Sequence, residues 1–513
     1  MDVIPLGAVG QVTGSCTLLV HAGSGILVDM GSQQGNVAKA YTHNSSLVHQ
    51  LARLQVNLRY VLVTHSHIDH SGLLPLLRKR GFHGQVIVSS PTRELLPLML
   101  IDSARIAKQE ALWLEKHRRK LDQARRQTGD QDLRGKGKKD KPRHDRQNSK
   151  GGGMSEAIYP LYSEQDVEWL TERLVDRPPN EWKPLKGMAD DMELKLLPTG
   201  HILGSVAFLI RWREGSRKRS ILFTGDVGRK KNMILYPRQD FLGLPSDERF
   251  PDLVVTESTY GADRHLSFEV SKQEMIEKIR QTHDRDGKVL IAAFSLERTQ
   301  ELLYMLYTLR EEGVIPQMPI YLDSPLAIKV SNVYSQLAGY LRELQYPDFL
   351  TNGGITQTLD KTESQQLNAK QRVIIMAASG MCDAGRIVHH LANGIDDPRN
   401  LVILTGFSVR ESRGRKIAMS QKGTRLRIYG QSKIIRADVL TLFGISAHED
   451  GPGMVDFLRQ HIDEKNRVML LHGEAENAQA LRRLLIADQS SRFRDIGRRI
   501  IVPEEKEDIT KIL

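Results

Sequence analysis

The sequence predicts an α/β protein in which a domain with a mainly parallel sheet is inserted into a second, strand-rich domain. Three observations carry this. The 513 residues exceed what one ordinary core holds, so two or three domains are expected. After about residue 265 the apolar runs KVLIAAFS, MPIYLDS, RVIIMAAS and NLVILTGFS follow one another, and the first three each lead into a helical stretch. That alternation argues for parallel strands covered by helices on both faces. The C-terminal run of DVLTLFGISAHED, a helix, NRVMLLHGE and a last helix has the texture of the first block, so the host domain regains its final elements from the C-terminus.

The elements follow in order. GILVDMG and RYVLVTHSH are apolar runs of strand length that end abruptly in polar residues. LLPLMLIDSARIAKQEALWLEKHRRKL has helical periodicity and runs into GDQDLRGKGKKDKPRHDRQNSKGGG, which has almost no large apolar residue and reads as a disordered loop. Order resumes at LYSEQDVEWLTERLV, where Ser163 and Asp166 look like an N-cap with an acidic first turn. MELKLLPTGHILGSVAFLIRW, RSILFTGDVG and DLVVTESTYG are further strands. The expected division is 1–260 for the first part of the host domain, with a basic insertion over 115–155, then 261–442 for the inserted domain and 443–513 for the rest of the host.

Composition limits the function. The chain is 40% hydrophobic and 26% charged, as soluble globular proteins are, and no stretch approaches the ~18–20 apolar residues of a membrane span. No secretory signal is expected at the N-terminus, and two cysteines far apart, Cys16 and Cys382, argue for a reducing cytoplasm and against a disulfide framework. The formal net charge is +11, and most of the excess lies between Glu115 and Lys150, where 14 Lys/Arg face 6 Asp/Glu. Such an arm suits a solvated insertion, and it also suits a polyanion bound through counterion release.

The segment VTHSHIDHSG concentrates the chemistry. His65, His67, Asp69 and His70 fall within six residues just past an apolar strand. In extended chain His65, His67 and Asp69 would point one way and His70 aside, so one loop could serve two neighbouring ions. Imidazole with carboxylate suits zinc or a similar first-row divalent ion, Mn2+ included. His201, Asp226 and His472 lie beside glycine after comparable apolar runs, and Asp29 ends GILVDMG in the same manner. Ligands gather at such strand ends.

Asp29, the HSHIDH segment, His201 and Asp226 resemble motifs one to four of the metallo-β-lactamase fold, an αββα sandwich. The resemblance implies that His65, His67 and His201 hold one zinc ion and that Asp69, His70 and His472 hold the other. Asp226 would bridge them, with Asp29 orienting the ligand loop. ESTYG with Glu257, GISAHED with His448 and LLHGE with His472 are similar to motifs A, B and C of the β-CASP subfamily, whose members act on nucleic acids. A histidine at motif C is like the RNA-processing branch, among bacterial and archaeal relatives of the endonuclease that cleaves pre-mRNA at its 3′ end.

The resemblance implies a two-zinc ribonuclease acting on single-stranded RNA, endonucleolytic with 5′→3′ exonuclease action left open. Asp69 would orient or deprotonate the attacking water. His448 would protonate the leaving oxygen, with Glu257 fixing its tautomer. In the inserted domain, AASGMCDAGRIVHHL offers Ser379, Gly380 and Arg386 at a strand-to-helix turn, and GFSVRESRGRKI offers Ser412, Gly414 and Arg415, as phosphate-binding candidates. His389 and His390 read as packing or helix-end residues. The alternatives are a small-molecule metallohydrolase of lactonase or thioesterase type, or a catalytically silent RNA-binding scaffold. The sequence leaves the oligomeric state open, a homodimer included.

Overall fold

The computed structural model describes the chain apart from residues 36, 128–159, 231, 239–243, 266, 343–353, 407–411, 489–494 and 505–513. Two sheets face each other in the host domain. The first has six strands, of which Thr17–His21, Ser24–Val28, Asn57–Leu62 and Gln85–Val88 are the middle four. The second has seven, and at its centre Leu253–Glu257 pairs in parallel with both Arg217–Phe223 and Arg467–Leu471. Strand alternation sorts the side chains. Ile26, Val28, Leu62 and Ile87 meet Phe208, Ile210, Phe223 and Val255 between the sheets. Leu27, Val61, Val63 and Val88 face the outer helices instead, packing on Leu47, Leu96 and Leu100. On the other outer face Leu222, Val254 and Leu470 pack on Phe457, Leu481 and Leu485. Burial on both faces is why these strands read as continuous apolar runs.

The inserted domain is built on six parallel strands in the spatial order Ile355–Gln357, Ile320–Leu322, Ile374–Ala377, Val289–Ala292, Leu401–Thr405, Asp438–Leu442. Helices cover both faces, so its two cores are distinct. One of them continues into the host domain through Leu95, Ile202, Leu203, Ile234 and Leu235. This shared core seats one domain firmly on the other.

Two expectations need correction. The helix Ser90–Gln127 runs well past residue 115, where the basic insertion was set to begin, because its helical pattern persists into the charged residues. The expected loop that follows lies outside the described residues. The HxHxDH segment is not extended throughout. Ile68–Ser71 forms a helical turn, so Asp69 and His70 are carried on a turn and not in line with His65 and His67. The capping box at Ser163 is present, with Asp166 accepting from the Ser163 backbone N–H at 2.9 Å.

Candidate metal centre and active site

All seven expected ligands converge at the strand ends of the sandwich. His65 Nε2, His67 Nδ1 and His201 Nε2 form one group with Asp226. His65 Nε2 and His67 Nδ1 stand 3.2 Å apart, His67 Nδ1 and His201 Nε2 3.4 Å, and Asp226 Oδ2 lies 3.5 Å from His65 Nε2 and 3.4 Å from His201 Nε2. Asp69, His70 and His472 form the second group. There His472 Nε2 stands 3.0 Å from His70 Nε2 and 3.6 Å from Asp69 Oδ2, and Asp226 Oδ1 lies 3.2 Å from His70 Nε2. Asp226 therefore turns one oxygen to each group.

These spacings test whether the residues fit metal ions. Donors around a tetrahedral ion with bonds of ~2.0–2.1 Å stand about 3.3 Å from one another. The observed separations centre on that value, and Asp226 Oδ1 is buried without a hydrogen-bond donor. Facing nitrogens with an orphaned buried carboxylate oxygen make an arrangement that a bound cation would complete.

Protonation points the same way. Burial holds His65 and His201 well below the ordinary histidine range and His67 at about 4, so their lone pairs are free. Burial would raise the two carboxyls, but the surrounding histidines overcome it, holding Asp226 well below the carboxylate range and Asp69 at about 2. Neutral imidazole with ionised carboxylate is the state a metal requires. His70 differs. Burial would lower its pKa, yet Asp226 and Asp29 hold it well above the usual range, and a cation at Nε2 would replace that proton.

Asp29 orients this set from behind. Its backbone is in the left-handed region at φ 60°, which Asp tolerates better than most residues. Its Oδ1 accepts from the Thr64 backbone N–H at 2.8 Å, and its Oδ2 accepts from Thr64 Oγ1 at 2.9 Å and lies 2.7 Å from His70 Nδ1. Thr64 Oγ1 in turn meets His65 Nδ1 at 3.0 Å. The carboxylate thus fixes His70 directly and His65 through Thr64, leaving both Nε2 atoms for the metals.

Glu257 and His448 meet beside the centre. Glu257 Oε2 stands 2.8 Å from His448 Nδ1, while its Oε1 accepts from the Val227 N–H at 2.6 Å. Burial would depress His448, but Glu257 and Asp226 outweigh it and lift the ring to about 9. The His448 ring packs 4.4 Å from His201 and retains some exposure. A cavity of about 870 Å³ runs from the metal ligands His67, Asp69, His201 and His472 past His448 to the inserted domain.

The metallo-beta-lactamase superfamily model matches residues 9–255, the Beta-Casp domain model 299–417, and that of a Zn-dependent metallo-hydrolase RNA specificity domain 434–503. A ribonuclease of Thermus thermophilus, TTHA0252, is 31% identical over 493 residues, which cover 94% of this chain and 96% of that protein. The chain belongs to the β-CASP family of metallo-β-lactamase-fold nucleases. Integrator complex subunit 11 of Danio rerio is 25% identical over 94% of this chain and 70% of its own length. The transcription termination factor FttA of Pyrococcus abyssi is 28% identical over 92% of this chain and 66% of its own. A crystal structure from Enterococcus faecalis V583, titled as a protein of unknown function, shares the fold with TM-score 0.51 and 11% identity over 93% of this chain and 95% of that one.

In this β-CASP nuclease the phosphate candidates divide. Ser379 and Arg386 line the cavity, whereas Gly380, Ser412, Gly414 and Arg415 are absent from its described wall. Arg386 already donates to Asp323 Oδ1 at 2.5 Å and to the carbonyls of Thr358 and Leu359. Ser412 is buried as the N-cap of the helix Arg413–Ala418, accepting from the Arg415 N–H, and the Gly414 N–H donates to the Met381 carbonyl. His390 is a packing residue, 2.6 Å from Asp323 Oδ2, and His389 meets Asn368. Sequence reading missed Thr259, Tyr260 and His265. Thr259 Oγ1 sits 3.2 Å from His472 Nδ1, the Tyr260 ring flanks His448, and His265 Nε2 lies 3.0 Å from the His448 carbonyl oxygen. Only the closeness of Thr259 and Tyr260 to Glu257 in ESTYG could have flagged them, and His265 lay outside any motif.

Proposed function

We propose that this β-CASP nuclease binds two zinc ions and cleaves single-stranded RNA endonucleolytically. Its class is that of a metal-dependent ribonuclease. The observation that carries the reading is the pair of donor sets sharing Asp226, opening into the same cavity as His448. Two divalent ions held by these sets would clamp a phosphodiester, activate water near neutral pH and stabilise both the attacking and the leaving oxygen.

The chain's own residues supply the proton transfers. Asp69, ionised and at the cavity wall, accepts the proton of the attacking water. His448, protonated at neutral pH, donates to the departing oxygen, and Glu257 binds Nδ1 so that Nε2 carries the transferable proton. A small-molecule hydrolase would have no use for the second domain that forms half of this cavity.

The test is incubation of zinc-loaded protein with end-labelled single-stranded RNA, beside a thioester substrate and an Asp69→Ala control. Internal RNA fragments from wild type and none from the control are expected. Intact RNA with thioester turnover would refute the proposal, and release of mononucleotides alone would refute the endonucleolytic mode.

A further inference from the structure

The inserted domain contributes a charged side chain to the cavity that neither the metals nor the acid pair use. Residues Phe294–Arg298 form the turn from the strand Val289–Ala292 into the helix Arg298–Glu311, and all of them line the cavity. Arg298 is 7% exposed. Its Nη1 donates to Glu301 Oε2 at 2.5 Å, while its Nη2 is buried with no hydrogen-bond partner among the described residues. A buried cationic donor without an acceptor is costly, and such groups concentrate where a ligand completes them. Arg238 also holds a buried Nη2 without an acceptor, but it lies off the cavity wall.

The turn that presents Arg298 is held rigidly. Glu297 sits at φ 68°, a left-handed conformation that a non-glycine residue adopts only when its surroundings enforce it. Its carboxylate accepts from Tyr334 Oη at 2.5 Å and from Asn232 Nδ2 at 3.3 Å, one partner from each side of the domain junction. Arg298 lines the same cavity as His201 and Tyr260, whose rings flank His448 at 4.4 and 5.9 Å. It also sits at the positive end of a 14-residue helix.

We propose that Arg298 is a catalytic residue, donating from Nη2 to a non-bridging oxygen of the scissile phosphate while Glu301 holds its Nη1. The assignment rests on the ribonuclease reading above. The guanidinium's planar fork is what permits one nitrogen to be anchored and the other to bind an anion.

A mere buried ion pair would make different demands, which the experiment separates. Replacing both partners by apolar residues of similar volume, Arg298→Met with Glu301→Met, removes the pair without leaving a buried charge. The zinc-loaded double variant is expected to keep the wild-type melting temperature within a few degrees and the wild-type metal content. Its single-turnover RNA cleavage should fall by about 10²–10³-fold, the usual loss for one donor to a developing oxyanion, with a much smaller change in RNA affinity. Arg298→Lys, which preserves a cation beside Glu301 and so the fold, should lose most of the rate as well. A folded, metal-loaded double variant or Arg298→Lys protein cleaving within threefold of wild type would overturn the assignment alone. An inactive wild-type protein with full metal would overturn the ribonuclease reading and the assignment with it.

Discussion

Replacing Asp29 by Asn tests whether the metal centre is built from behind. Asparagine has nearly the same shape and tolerates the left-handed backbone at this position, so the change isolates hydrogen bonding and charge. The carboxylate has three close partners on two oxygens, at 2.8, 2.9 and 2.7 Å. The amide has one oxygen. If that oxygen takes the place of Oδ2, the NH2 group faces the Thr64 N–H, donor against donor. If it takes the place of Oδ1, the NH2 group faces His70 Nδ1 and forces the ring into the opposite tautomer, with its proton on the ligating Nε2. Either arrangement leaves one buried group unsatisfied, at about 1–3 kcal/mol.

Loss of an orienting partner behind a ligating histidine typically costs 10–100-fold in metal affinity. The loss should fall on the group of Asp69, His70 and His472, because His65 is reached only through Thr64. Titration against a chromophoric chelator should therefore show one ion near wild-type affinity and a second weakened 10–100-fold, with activity restored by excess zinc. Thr64→Val should weaken the other ion instead, and by less. An Asp29→Asn protein that bound both ions with wild-type affinity would refute this account of the centre.

Four further outcomes follow from the same geometry. His448→Gln should lose about 10²–10⁴-fold in kcat with metal content unchanged, the range for one positioned general acid. His448 must be protonated to act and its pKa is raised by Glu257, so activity should fall as pH rises through that pKa. Glu257→Gln should shift this basic limb to lower pH, as a pH–rate profile would show. A Cβ at Gly31 would stand 1.6 Å from the Asp69 carbonyl oxygen, so Gly31→Ala must displace the Asp69–His70 turn. It should cost at least the ~1–3 kcal/mol of overpacking and release the metal bound there, read by thermal melting and metal analysis. Chelation should abolish RNA cleavage and lower the melting temperature. A ligand present at 1,000 times its dissociation constant stabilises by about 4.1 kcal/mol.

The sequence made the centre legible because its ligands are chemically unusual where they stand. A histidine or aspartate just past an apolar run has little structural purpose, and His65, His67, Asp69 and His70 in one loop, with His201, Asp226 and His472 each beside glycine, all converge. The parallel sheet was legible for a related reason, since strands buried on both faces leave continuous apolar runs. The helical turn at Ile68–Ser71 was not, because four residues are too few to show a period. The phosphate candidates were harder still. Serine, glycine and arginine at a strand-to-helix turn are equally the material of caps and buried ties, and Ser412 and Arg386 are used so here. Arg298 left no mark, because Glu301 holds its Nη1 and the turn that presents it is fixed through Glu297 by Asn232 and Tyr334 at the meeting of two domains.

The acid pair explains why the inserted domain enters where it does. The chain leaves the host sheet at the end of Leu253–Glu257 and returns to it after Asp438–Leu442. Glu257 is the last residue of the departing strand, and His448 lies on the returning segment, where it bridges Gly228. The 2.8 Å contact between Glu257 and His448 therefore closes the two ends of the insertion on each other. A general acid placed at such a junction is correctly set only when the inserted domain is folded and docked. The metal ligands and the acid pair are all host residues, but Glu257 and His448 stand where the inserted domain leaves and rejoins the host. Substitutions in the shared core at Leu203, Ile234 or Leu296 should accordingly lower kcat before they lower metal content. Loss of both in parallel would show that the two domains fold as one unit.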